Sequence, residues 1–337
     1  MAPFGEKARK YPGGFIDLSQ GTPVDPTPQF IQDAFSSASN SPSYPVVAGT
    51  ASLKDAIRKW SVENLGVTGD FDVLPTIGSK EFIALLPTFL QSKNVLYPKV
   101  AYPTYLVSAM MASAQATPVD IDASSWPKAD LAWLNSPSNP TGQVQTDQEL
   151  KACITWARKN QAILASDECY LSFSDDAKSI LALAEGDNTG LLAVLSLSKR
   201  SNLAGYRAGF VVGDSKLIDQ IRQIRKHAGL IVPLPVQQAM IAALSDNNHA
   251  IEQAERYEKR RIKLIAALSK AGFTIEHSQA GLYIWCSKNE DCYKTVDWFA
   301  NLGVLVTPGS FYGSEKFIRI ALTATDESVD LVVERIK

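Results

Sequence analysis

The feature that most restricts how this chain can fold is a rhythm. Short apolar runs of strand character, Phe71–Ile77, Asn94–Tyr97, Gln115–Val119, Leu131–Leu134, Ala162–Ser166, Leu191–Leu195 and Ala208–Val212, alternate with amphipathic stretches long enough to be helices. A parallel neighbour in a sheet is reached by a crossover, usually a helix, so this alternation predicts an α/β protein with parallel strands under covering helices. A helix is expected from Gly78 through Leu90 with Ser79 as its N-cap, and another over about Asp147–Lys159.

The rhythm changes near His249. One long helix is expected up to Lys270, and then short strands (Gly281–Cys286, Gly303–Val306, Phe317–Leu322) interleave with helices at about Asp291–Asn301 and Asp326–Ile336. Residues 1–40 offer one short strand, Phe15–Leu18, and a Pro-rich turn at Gly21-Thr22-Pro23, too little for a core of their own. A length of 337 residues suits two domains. The expected organisation is a small α+β domain made from residues 1–40 and 255–337, beside a large domain of residues 41–254.

Charge narrows the function classes. With 33 Lys+Arg against 35 Asp+Glu the chain is near neutral, which gives no reason to expect nucleic acid or an anionic membrane as a partner. The Lys259-Arg260-Arg261 cluster reads as a solvated helix face. Four cysteines without CxxC spacing and three scattered histidines predict reduced thiols and no metal site. There is no signal-like N-terminal segment and no apolar stretch long enough for a membrane helix, so a cytoplasmic location is expected.

Polar residues gather just after the strand candidates, where ligands sit in open parallel sheets. Lys199 ends the run LLAVLSLSK, and a half-buried amine there has a lowered pKa and can form a Schiff base, although a surface lysine would look the same. Arg207, among small and aromatic residues, calls for an anion, either a phosphate or a structural carboxylate. Asp167 follows AILAS and, if buried, needs a cation or donor such as a protonated pyridine nitrogen, or serves as a turn residue. Gly78-Ser79-Lys80 can cradle a phosphate at a helix start. Tyr105 offers a flat ring face, and Asn139 and Tyr170 offer donors. Arg319, inside apolar FIRIAL, is either an internal ion pair or a carboxylate clamp.

In order along the chain, SYPVVAGTASLKDAI, TIGSKE, AYPTY, NSPSNPTG, SDECY, SLSKRSNLAGYRAG and FIRIAL resemble the fold type I, class I/II aminotransferases that use pyridoxal 5′-phosphate. The resemblance implies a large domain with a mostly parallel sheet and a smaller α+β domain from both chain ends. It assigns Lys199 to the Schiff base and the proton shuttle, and Asp167 to the pyridine nitrogen. Tyr170 and Asn139 would bond the ring oxygen, and Tyr105 would stack on the ring. Ser79, Lys80, Ser196 and Arg207 would hold the phosphate, Lys80 through its backbone. Tyr44 would reach the neighbouring subunit's site in a homodimer. Arg319 would grip the substrate α-carboxylate, with the backbone near Gly21 and Asn139 helping.

A narrower resemblance, in LSQGTPVDPTP, DECYLSF, VPLPVQQAMIAAL and EHSQAGLYIW, is to actinobacterial N-succinyldiaminopimelate aminotransferases of lysine and peptidoglycan precursor synthesis. It implies amino transfer between N-succinyl-LL-2,6-diaminopimelate and 2-oxoglutarate. Other readings of the same motifs are an aspartate or aromatic aminotransferase, a C–S β-lyase, and a non-catalytic cofactor-binding module. Arg200, beside the Schiff-base lysine, departs from the usual small or hydroxyl residue and could alter the pocket wall. Arg200, Arg225 and Lys226 are the candidate readers of a distal carboxylate.

Overall fold

The apolar runs between residues 71 and 213 pair into one sheet. The computed structural model describes residues 1–337, with strands β1 (Ile16–Asp17), β2 (Asp72–Ile77), β3 (Asn94–Pro98), β4 (Gln115–Val119), β5 (Leu131–Asn135), β6 (Ile163–Asp167), β7 (Leu191–Ser196) and β8 (Ala208–Gly213). They are followed by β9 (Thr274–Ile275), β10 (Tyr283–Ser287), β11 (Val304–Leu305), β12 (Thr307–Pro308) and β13 (Ile318–Ala321). The large sheet has the order β2-β8-β7-β6-β5-β3-β4. Its neighbours are parallel except for β8, which is antiparallel to both β2 and β7.

That exception has a local cause. Residues 197–207 between β7 and β8 contain only the short helix Leu197–Arg200, not the crossover a parallel neighbour requires, so the chain doubles back. The reversal matters for function. The other strands bring their carboxyl ends to one edge, and β8 brings its amino end there. In register, Ala208 faces Ile77, so Arg207 arrives beside the start of the helix after β2.

Helices seal both faces. On one side Leu53, Ile57, Trp60, Leu134, Phe210 and Met240 share a core, and on the other Leu74, Phe82, Tyr105, Trp133 and Val211 do. Local capping supports the helices. Thr146 and Glu149 form a reciprocal capping box at Asp147–Asn160, and Thr50 caps Ala51–Trp60. A third core joins Ile16 and Leu18 to Leu264, Ile284, Phe299, Ile320 and Val332, with β1 parallel to β11.

The residue-level organisation differs from expectation in several places. Ile31, on the helix Gln29–Ser37, packs in the large core, so residues 1–40 divide between the two cores. The helix Asn248–Lys270 runs unbroken through residue 255. An unexpected first helix, Ala2–Arg9, is tied by Lys7 to Asp297 at 2.7 Å. Arg260 and Arg261 are buried, not solvated. Arg260 pairs with Asp25 and Asp326, and Arg261 donates to the carbonyls of Ser278, Ala280 and Gly281, so the long helix is stitched to both ends of the chain. A basic run can hide its charge where the tertiary fold supplies acceptors. No helix is long and apolar enough to cross a membrane.

Candidate active site

A cavity of about 740 Å³ opens at the edge where β2, β5, β6 and β7 end, facing β10 and β13. Gly21, Ser79, Lys80, Asn139, Asp167, Tyr170, Ser196, Lys199, Arg207 and Arg319 all line it. These residues span most of the chain, and topology alone collects them.

Lys199 stands on the short helix that follows β7. Burial, together with the nearby Arg207, Arg319 and Lys80 charges, lowers its pKa to about 8, against a raising effect of Cys169. At pH 7 about one such lysine in ten is then an uncharged nucleophile, against roughly one in three thousand for an ordinary lysine. Its Nζ donates to the Gly21 carbonyl. Gly21 therefore offers an acceptor to the lysine. A side chain at that position would overlap the Tyr283 hydroxyl.

Asp167 ends β6 as a buried carboxylate. Burial raises its pKa, while two donors hold it, the Tyr105 hydroxyl at 2.8 Å and the Cys169 amide at 3.2 Å. No cationic side chain meets it, which leaves its cavity-facing charge open to a cationic ring nitrogen. Behind it lies Glu168, also buried. One oxygen accepts from the Ile180 amide at 3.0 Å, the other has no partner, and burial pushes the carboxyl up to about 7.

The anion end is built around Gly78. Its φ of +69° and the Arg207 guanidinium, which would lie 2.5 Å from a Cβ, both require glycine. Ser79 is not the N-cap. The helix Gly78–Phe89 begins at Gly78 as expected, but Ile77, two residues before Ser79, holds the N-cap position with no side-chain cap, and the Ser79 hydroxyl accepts from the Cys169 thiol at 3.1 Å. The uncapped amides, Ser79 and Arg207 thus remain free for a phosphate. Ser196 caps the Lys199 helix through the Ser198 amide. Arg207 is exposed rather than buried, its guanidinium held by the Ala204 carbonyl at 2.9 Å. Only its neighbours from Ala208 onward enter the sheet.

At the other end Arg319 is buried without a carboxylate partner. It donates to Asn139 Oδ1 at 3.0 Å and to the Ser19 carbonyl at 2.6 Å, and lies over the rings of Tyr283 and Tyr312. Its Nε has no partner. The internal ion pair is therefore absent, and a buried guanidinium among neutral acceptors is poised for an anion. Tyr170 shares a hydrogen bond with Tyr283 at 3.1 Å, and burial raises its pKa well above the ordinary value.

Two tyrosines exchange places relative to expectation. Tyr105 does not line the cavity. It is fully buried, stacked on Trp133 at 5.4 Å, with its hydroxyl turned to Asp167. Tyr102, from the same AYPTY motif, lines the cavity instead. Helical spacing explains the exchange, because Tyr105 lies in the first turn of Thr104–Met111, which faces the core, and Tyr102 precedes it. Tyr283 and Tyr312 also line the cavity, from strand and turn runs whose local pattern is that of ordinary core. Tyr44 lies outside the cavity and is 98% exposed.

Arg200 turns away from the cavity. Its guanidinium donates to the Ala243 and Asp246 carbonyls at the end of the helix Leu234–Ser245 and lies over Trp60, so it does not form the wall beside Lys199. Arg225 is buried against Glu81, and neither it nor Lys226 lines the cavity.

The model of the family "Aminotransferase class I and II" matches residues 14–336. The chain is a class I/II aminotransferase. Among its relatives is the 4-dedimethylamino-4-oxo-anhydrotetracycline transaminase OxyQ of Streptomyces rimosus, 45% identical over all of this chain and 97% of that enzyme. A probable aminotransferase of Mycobacterium tuberculosis is 47% identical over 98% of this chain and 82% of its own length. The solved structure of a probable N-succinyldiaminopimelate aminotransferase from Thermus thermophilus superposes with a TM-score of 0.91 at 28% identity, covering 99% of this chain and 97% of that one. The aminotransferase uses pyridoxal 5′-phosphate. The cavity fits that group: a nucleophilic lysine, a buried carboxylate lacking a cation, and a glycine-opened helix start beside an arginine each match one of its functional groups.

Proposed function

We propose that this aminotransferase moves an amino group between N-succinyl-LL-2,6-diaminopimelate and 2-oxoglutarate, yielding glutamate. The observation that carries the reading is that, beyond Lys199 and Arg207, two further cavity-lining cations, Arg319 and Lys80, have no carboxylate partner. The exposed Lys80 ammonium lies 5.6 Å from the centre of the Tyr102 ring. Substrates with a carboxylate at each end suit two such cations. The designation of the Thermus relative points to the same substrate class.

Pyridoxal phosphate supplies the electron sink for the substrate carbon. The chain's own residues do the rest. Lys199 carries the cofactor and moves the proton at the substrate Cα. Asp167 holds the proton on the ring nitrogen, with Tyr105 holding Asp167. Asn139 and Tyr170 would donate to the ring oxygen, and Tyr102 would offer its face to the ring. Ser79, the amides at Gly78–Lys80, Ser196 and Arg207 take the phosphate. Arg319 binds the α-carboxylate, and Lys80 reads the distal one. The enzyme works as a homodimer in which Tyr44 reaches the partner's cavity. The exposed apolar side chains of Leu106, Val107, Met110 and Met111 on one helix support such an interface.

The test is a panel of amino donors with 2-oxoglutarate: the succinylated diaminopimelate, aspartate, an aromatic amino acid and alanine. The succinylated donor should give the highest kcat/KM. Preference for aspartate or the aromatic donor would overturn the substrate assignment, and pyruvate release from cystathionine without an oxo acid would favour a β-lyase.

A further inference from the structure

Glu81 and Arg225 form a charge pair next to the cavity but on none of its walls. Glu81 lies in the first turn of the helix Gly78–Phe89, one residue past Lys80. One of its carboxylate oxygens accepts from the Ile77 amide at 3.3 Å, and the other accepts from the Arg225 guanidinium. Arg225, on the helix Ser215–His227, is fully buried and also donates to the Leu230 carbonyl at 3.2 Å. Each is the other's only ion-pair partner. We propose that the two are positioning residues for the cofactor phosphate, a role that rests on the phosphate binding at Gly78–Lys80. Glu81 fixes the helix start, and Arg225 cancels a negative charge that would otherwise oppose the phosphate.

A helix that holds an anion at its start must be anchored there without using up its own first amides. In the reciprocal capping box at Thr146 and Glu149, the N-cap side chain occupies an amide of the first turn. Such a box would close an anion site. At Ile77 only the other half of the arrangement is present. The Glu81 carboxylate reaches back to the N-cap amide, while the apolar N-cap side chain accepts nothing. The helix entry is thus held, and no side chain caps the amides of Gly78, Ser79 and Lys80.

A carboxylate in this turn carries a penalty for phosphate binding. It competes for the same positive helix end, and two nearby anions oppose each other. The buried guanidinium of Arg225 against Glu81 makes the pair neutral and removes that opposition. Arg225 lines no part of the cavity, so it acts through Glu81 alone.

The test titrates cofactor-free enzyme with pyridoxal phosphate and with pyridoxal, which has a hydroxyl in place of the phosphate, and follows visible absorbance. The two charges should move phosphate binding in opposite directions. In Arg225→Met, which leaves Glu81 unpaired, pyridoxal phosphate affinity should fall about tenfold, within the range of a partly buried charge at a helix start. In Glu81→Gln, which keeps an acceptor for the Ile77 amide and leaves Arg225 in excess, it should rise about threefold. Pyridoxal affinity should stay unchanged in both. Glu81→Gln should also melt at a lower temperature, because a buried cation has lost its carboxylate. A packing role would instead weaken both ligands in both variants. Gly78→Ala checks the phosphate placement and should weaken pyridoxal phosphate but not pyridoxal. Phosphate-specific loss in Gly78→Ala without the opposite shifts in the other two variants would overturn the role of the pair alone. Equal effects on the two ligands in all three variants would overturn the phosphate placement as well. If thermal melts show that Arg225→Met does not fold, Glu81→Gln decides, and unchanged or weaker pyridoxal phosphate binding there refutes the proposal.

Discussion

Removing one oxygen atom, in Tyr105→Phe, tests how the site holds its cofactor. The Tyr105 hydroxyl donates to Asp167 over 2.8 Å between two buried groups, and it is one of two donors on that carboxylate. Hydrogen bonds to charged groups contribute roughly 1.5–3 kcal/mol. The phenylalanine keeps the stack on Trp133 and leaves no orphaned polar atom of its own, so a loss of about 2 kcal/mol is expected, or roughly 30-fold in equilibrium. Asp167 already has a raised pKa through burial, and losing a donor raises it further. A larger fraction of Asp167 is then the neutral acid, which does not pair with a protonated ring nitrogen. Pyridoxal phosphate affinity, followed by visible absorbance on the cofactor-free enzyme, should weaken by up to about 30-fold, with kcat reduced in parallel and the melting temperature lowered by a few degrees, since the bond is already made without the cofactor. If cofactor affinity and kcat moved less than about threefold in a folded variant, Tyr105 would be core packing alone and the reasoning would fail.

Three further predictions rest on the same geometry. Gly78→Ala forces a Cβ to within 2.5 Å of the Arg207 guanidinium at a φ of +69°, so cofactor affinity should fall about tenfold, with about 1 kcal/mol of stability lost to backbone strain; unchanged affinity would detach Arg207 from the phosphate. Arg319→Lys replaces a planar fork with a point charge. KM for both amino donor and oxo acid should rise tenfold or more while the cofactor spectrum is preserved, and a rise for only one of them would contradict a shared α-carboxylate clamp. Glu168 titrates near 7 in the fold against 4.5 as an ordinary glutamate, so the folded state holds its proton more tightly. Its contribution to stability is full below pH 4.5 and lost as pH rises through 7, ~3 kcal/mol in all. Urea unfolding of the cofactor-free protein at pH 5 and pH 8 should show this loss, and Glu168→Gln should remove most of it; an equal slope in the variant would refute it.

Much of the candidate site was legible along the chain because several of its residues sit at the ends of apolar strands, and strand ends can be read from local pattern. Lys199 after LLAVLSLS and Asp167 after AILAS are the plainest cases. The illegible part depended on direction. In AYPTY, sequence cannot tell which ring faces the cavity, and the helix beginning at Thr104 turns Tyr105 inward and leaves Tyr102 at the cavity. The Lys259-Arg260-Arg261 run looked solvated because its acceptors, Asp25, Asp326 and the carbonyls near Ser278, lie far away in sequence. Arg200 looked like a pocket-wall residue because it adjoins Lys199, but successive residues on a helix point in different directions.

The sequence by itself determined the alternation of strand and helix, the identity of the chemical groups and their order, since these follow from local periodicity and side-chain type. Tertiary structure decided their convergence. A short β7–β8 connection reverses one strand and brings Arg207 to Gly78, and β13 lays Arg319 against the chain segment at Ser19. It also decided which charges are unpaired. Whether a buried arginine is a structural cation or a waiting anion site depends on the neighbours that only folding brings, and for Arg319 those neighbours are neutral.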